Sequence, residues 1–84
     1  MRLITIYSRS DCHLCEQAYA IVMSLQEMFA YEVRVVDIDQ DLNLGARYGT
    51  SIPVVSLEGD DVLAWPFTRS QAFAILQQRF GSSR

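Results

Sequence analysis

Apolar and polar positions recur with two different periods along this chain, and the switches between them mark its elements. LITIY (3–7) is short and rich in β-branched and aromatic residues, which reads as a buried strand. SRSD (8–11) breaks it. From Asp11 the spacing becomes helical: Leu14, Ala18, Ile21 or Val22, Leu25 and Phe29 fall three or four apart, with Ser10 or Asp11 as the N-cap. YEVRVVDID (31–39) reads as a second strand with Val33, Val35 or Val36, and Ile38 turned inward. Strand, helix and strand in this order predict a βαβ unit with a right-handed parallel crossover. DLNLGARYG (41–49) predicts a short helix that begins near Asp41 and stops at Gly49. PVVSLEG (53–59) predicts a strand, GDD (59–61) a turn, and VLAW (62–65) a strand that pairs back as a hairpin before Pro66 ends it. TRSQAFAILQQRF (68–80) predicts the last helix. Thr68 and Gln71 form a capping-box pattern there, and Ala72 or Phe73, Leu76 and Phe80 form its apolar stripe. The order βαβαββα predicts an α/β sandwich of about four strands with helices on both faces.

Composition narrows the picture. With 84 residues, half of them hydrophobic, the chain reads as one domain over residues 1–80, with GSSR (81–84) as a flexible tail. The net charge is -3, there is no lysine, and the seven arginines are scattered from Arg2 to Arg84. No basic stripe exists, which argues against nucleic acid as a partner. The longest apolar run, AYAIVM (18–23), is far short of a membrane span, and the apolar stretch near the N-terminus is too short for a signal-peptide core. A cytoplasmic protein is expected, and in that compartment a close cysteine pair points to catalysis or metal binding rather than to a permanent staple.

That pair lies in SDCHLCEQA (10–18), which holds both cysteines, Cys12 and Cys15, and the only histidine, His13. Residues three apart on a helix share a face, with Cβ atoms about 5–6 Å apart. A disulfide needs them at about 3.5–4.5 Å, so a small adjustment of the first turn closes the gap. Cys12 falls where the first backbone N–H groups of the helix lack partners, and the positive end of the helix dipole favours its thiolate. Cys15, one turn deeper, is expected to be more buried. Cys12 is then the attacking thiolate and Cys15 the resolving thiol. Arg9 is expected to add positive charge near Cys12, and His13 more when protonated, while Asp11 opposes both. Three readings stay open on these residues. The pair is a redox disulfide, it is half of a metal or iron–sulfur site shared between two chains, or it consists of two small core residues. No four-ligand zinc pattern occurs within the chain.

ITIYSRSDCHLC, followed by TSIPVV (50–55), resembles the glutaredoxin family of the thioredoxin superfamily, and more narrowly the small bacterial glutaredoxin-like proteins with a C-x-L-C motif. The resemblance runs from residue 3 to about residue 80. It implies a thioredoxin-like fold with a four-stranded mixed sheet whose third strand is antiparallel to the first. It also implies that Pro53 is a cis-proline beside the cysteine pair, so that the backbone at Ile52 and Pro53 meets a substrate segment. The family's usual C-P-Y-C is here Cys12-His13-Leu14-Cys15, and its upstream lysine is Arg9. Trp65 and Pro66 stand where the family has a Gly-Gly pair that helps hold glutathione.

Other features read as structural. Asp37, Asp39 and Asp41 lack the glycine and final glutamate of a calcium loop, and GARYG (45–49) lacks the pattern of a phosphate loop. Trp65 and Phe67 form either a corner of the core or an apolar wall beside the cysteines. Together these observations predict a thiol–disulfide oxidoreductase working through Cys12 and Cys15, with Arg9, His13, Ile52 and Pro53 as substrate-binding or modulating residues. No bound cofactor or metal is expected. Electrons come from glutathione or from a thioredoxin-type reductase, the substrate is a thiol or disulfide of a protein or of glutathione, and the protein is a monomer. Two other classes stay open: a dimeric metal or iron–sulfur carrier using Cys12, and a redox-inert binding module.

Overall fold

A computed structural model describes residues 2–81 of the protein. All but the first residue of the expected flexible tail, 81–84, therefore lies outside the described residues. Four strands, β1 (Arg2–Ser8), β2 (Tyr31–Asp37), β3 (Val54–Leu57) and β4 (Asp60–Ala64), form one sheet in the order β2-β1-β3-β4. β1 pairs β2 in parallel and β3 antiparallel, and β4 returns antiparallel to β3, so the sheet is mixed. The helices are α1 (His13–Ser24), α2 (Gln26–Phe29), α3 (Leu42–Tyr48) and α4 (Arg69–Phe80).

The pleat divides the core in two. Ile4 and Ile6 of β1 and Val55 and Leu57 of β3 point to one face, where α1, α2 and α4 cover them with Ala18, Val22, Leu25, Phe29, Ala72 and Leu76. Tyr7 and Val54, register partners in β1 and β3, point to the other face and pack with Ile38, Leu44, Tyr48 and Ile52. All four residues of β3 are buried, as a central strand covered on both faces requires.

The expected element order holds, and several boundaries differ. Leu14, expected inward, is 45 % exposed, because α1 starts at His13 and turns Cys15, Ala18 and Val22 to the core instead. The helix through Phe29 is two helices, interrupted at Leu25, and Ala30 ends the second in a left-handed conformation (φ 54°). The hairpin turn is Glu58–Gly59, not GDD (59–61). Both residues have positive φ (51° and 92°), as in a type I′ two-residue hairpin, and Asp60 and Asp61 already belong to β4. The second strand ends at Asp37, and Ile38–Gln40 form a short 3-10 turn. No helix among the described residues is long and apolar enough to cross a membrane.

Candidate active site

The central strand β1 runs out at Ser8, and Asp11 takes a left-handed conformation (φ 57°) that swings the chain into α1. Cys12 is the N-cap of α1, in place of the expected Ser10 or Asp11. Its sulfur accepts a hydrogen bond from the Cys15 N–H at 3.2 Å, and its carbonyl accepts from the Glu16 N–H at 3.1 Å. One of the orphan N–H groups of the first turn is thereby satisfied by sulfur. Cys12 and Cys15 form a disulfide with a Cα–Cα distance of 5.2 Å. Cys12 is half-buried and Cys15 buried, so Cys12 is the more accessible member of the pair.

The residues expected to tune Cys12 have other partners. Arg9 Nε donates to both oxygens of Asp39, at 3.1 and 3.0 Å, and its Nη1 donates to the Gly49 carbonyl at 3.4 Å. Arg9 does line the groove beside the cysteines, but the Asp39 carboxylate offsets its charge. The His13 side chain is 93 % exposed and turned to Glu16, with Nδ1 3.8 Å from Oε1, because position 13 lies about 100° round the helix from Cys12. Neither residue brings an uncompensated positive charge to the sulfur.

Pro53 is buried and its peptide bond with Ile52 is cis, as is Trp65–Pro66. The register partners Tyr7 and Val54 place Pro53 beside the end of β1, where the chain departs for Cys12. The Pro53 carbonyl accepts from the Trp65 N–H at 3.1 Å, which ties this segment to the end of β4. Phe67 is buried in the larger cluster and Trp65 packs edge-on against it at 5.2 Å, so the Trp65–Phe67 stretch is a corner of the core.

The three alternating aspartates each serve the backbone or Arg9. Asp37 accepts from the Asp39 N–H, Asp39 holds Arg9, and Asp41 caps α3 by accepting from the Asn43 and Leu44 N–H groups. Among the described residues no group of three or more His, Cys, Asp or Glu side chains is placed to hold a metal ion. The sequence-based expectations did not place Glu16 and Tyr19 beside the pair, nor Asp39 on Arg9. Glu16 and Tyr19 lie four residues beyond Cys12 and Cys15, a spacing that puts each on its cysteine's helix face. No local signal marks Asp39, thirty residues away from Arg9.

Comparison with known proteins agrees with this geometry. Residues 3–77 match the family model described as Glutaredoxin-like domain (DUF836). No curated protein matches the chain in sequence. Among solved structures, the X-ray structure of the target protein XcR50 from X. campestris shares 35 % identity over 89 % of this chain and 96 % of its own, with a TM-score of 0.75. The solution structure of Ne2328 from Nitrosomonas europaea shares 28 % identity over 88 % of this chain and 89 % of its own, with a TM-score of 0.77. A mutant thioredoxin from Halobacterium salinarum covers 99 % of this chain with 78 % of its own, at 17 % identity and a TM-score of 0.70, and so shares the fold. With a four-stranded mixed sheet, a cysteine pair at the head of its first helix and a family match over nearly its whole length, the chain belongs to the glutaredoxin-like family and has a thioredoxin-like fold.

Proposed function

We propose that the protein is a cytoplasmic, monomeric thiol–disulfide oxidoreductase that works by a dithiol mechanism and needs no bound cofactor. The observation that carries this reading is the half-buried Cys12 at the N-terminus of α1, bridged to the buried Cys15. In the reduced protein the helix N-terminus and the Cys15 N–H favour Cys12 as thiolate. Cys12 attacks one sulfur of a substrate disulfide; a Cys12–substrate disulfide forms and the other substrate sulfur leaves as a thiolate. Deprotonated Cys15 then attacks Cys12 Sγ, re-forms the Cys12–Cys15 disulfide and expels the second substrate thiolate. The two leaving thiolates take up the protons released by the two cysteines. The substrate disulfide is reduced by two electrons and the protein dithiol is oxidised by two. A dithiol reductase or two glutathione molecules restore the reduced pair.

The backbone at Ile52 and Pro53, beside the end of β1, is the segment against which a substrate chain lies during attack. Arg9 serves chiefly to fix the loop before Cys12 to Asp39 and Gly49. The test is equilibration of the purified protein in glutathione buffers of known potential, followed by intact mass. A reversible loss of two hydrogens at an intermediate potential is expected. Cys15→Ser should accumulate a mixed disulfide on Cys12, and Cys12→Ser should form none. Thiols that stay reduced at every potential reached would overturn the mechanism.

A further inference from the structure

A groove of about 200 Å³ opens beside the disulfide, between the first two turns of α1 and the C-terminal halves of β1 and β2. It lies on the side of β1 away from β3 and Pro53. Cys12 and Cys15 line one end of it. The parallel register pairs Ile6 with Val35, so both side chains point to the α1 face. Ile6 is fully buried there, whereas Val35, on the edge strand β2, keeps 51 % of its surface exposed. Tyr19, one turn beyond Cys15, keeps 42 %. Two large apolar side chains thus stand half in water next to the reactive sulfurs.

The charge around the groove is one-sided. Asp11 and Glu16 are exposed at its edge, and among the described residues the ionic contact of Glu16 is the distant one with His13. Arg9, which lines the groove, is engaged by Asp39. An occupant that gains from this groove is apolar where it meets Tyr19 and Val35 and cationic where it meets the carboxylates.

We propose that the groove seats an apolar side chain of a polypeptide substrate, from the segment that carries the substrate disulfide, with a lysine or arginine next to it. This rests on the dithiol reading above and adds the substrate class. Glutathione is a poor occupant, since it has no large apolar side chain and would set carboxylates against Asp11 and Glu16. Arg47, another group suited to its carboxylates, is engaged by Asp61 at 3.3 Å.

The test uses the full, reduced protein and four disulfide probes at low salt. These are a cysteine peptide with Phe and Arg beside the disulfide, the same peptide with Ser and Asp, glutathione disulfide, and 2-hydroxyethyl disulfide as a small reference. Relative to the reference, the Phe–Arg peptide should react about tenfold faster than the Ser–Asp peptide. Tyr19→Ala and Val35→Ser, both at exposed positions, should each cut that advantage to about threefold or less. Met28→Ser, at an exposed apolar residue of α2 outside the groove, should leave it intact. An advantage that survives both groove substitutions overturns the proposal, as does glutathione disulfide reacting as fast as the Phe–Arg peptide. Failure to reduce even 2-hydroxyethyl disulfide would overturn the dithiol reading itself, and this proposal with it.

Discussion

The Asp39 carboxylate, 3.0 Å from Arg9 Nε, decides how much Arg9 can do for Cys12. A cation beside a thiol favours thiolate only to the extent that its field reaches the sulfur, and a carboxylate in contact with the cation cancels most of that field. Both side chains are about half exposed, so solvent weakens what remains. Arg9→Ala should therefore change the alkylation rate of reduced Cys12 by iodoacetamide at neutral pH by about threefold or less. A tenfold fall would mean that Arg9 acts on the sulfur despite its partner. The sequence made the opposite expectation reasonable. Arg9 is three residues from Cys12, while Asp39 belongs to a run of aspartates that reads as a solvated strand end. Only the parallel pairing of β1 with β2, which matches Ser8 with Asp37, brings the two ends together. His13 turns to solvent and Glu16 for a simpler reason, since a neighbour in sequence on a helix does not share its neighbour's face.

Among the elements, α1 and α4 start in different ways. Thr68 Oγ1 accepts from the Gln71 N–H at 3.1 Å, and Gln71 Oε1 accepts from the Thr68 N–H at 2.9 Å. This reciprocal box was legible in the sequence because it is local and needs two residue types at fixed spacing. Thr68→Ala should cost about 1 kcal/mol of unfolding free energy, measured by urea denaturation, while leaving the cysteine chemistry unchanged. A cost near zero would mean that the box adds nothing beyond water. The start of α1 was harder to read, because a cysteine is not among the usual capping residues and the aspartate before it looked better suited. Moving the start by one or two residues moves the apolar stripe, which is why the sequence places Leu14 inside and the structure places Cys15 there instead. The interruption at Leu25 had no proline or glycine to announce it. One local and one tertiary bond meet there: Ser24 Oγ donates to the Ile21 carbonyl at 2.7 Å, and Arg69 Nε of α4 donates to the same hydroxyl at 2.9 Å.

On the scale of the molecule, each face of the sheet contains one buried tyrosine with a satisfied hydroxyl. Tyr31 donates to the Val22 carbonyl among α1, α2 and α4. On the other face Tyr48 donates to Asp61 at 3.0 Å and stacks on Tyr7 with ring centroids 4.4 Å apart. Burial pushes the Tyr31 phenol up to about 12. Burial, reinforced by the Asp61 carboxylate, pushes Tyr48 up to about 12 as well. Both groups keep their protons in the folded state at pH values where the unfolded chain has lost them. Their contribution is complete below the ordinary tyrosine value of about 10 and is lost as pH rises toward the folded value. Unfolding free energy should therefore fall between pH 10 and pH 12, with a slope approaching about 1.4 kcal/mol per pH unit for each tyrosine. Tyr48→Phe should remove about half of that slope in urea titrations at pH 9, 10.5 and 11.5. An unchanged slope would mean that Tyr48 does not control the alkaline limit. The capping sulfur of Cys12 links this architecture to the chemistry. The atom that would exchange electrons also anchors the first amide ring of a helix packed across the core. The Cys15 amide is consequently a built-in reporter: its proton resonance and its solvent exchange should register every change of bonding at Cys12, with no label attached to the protein.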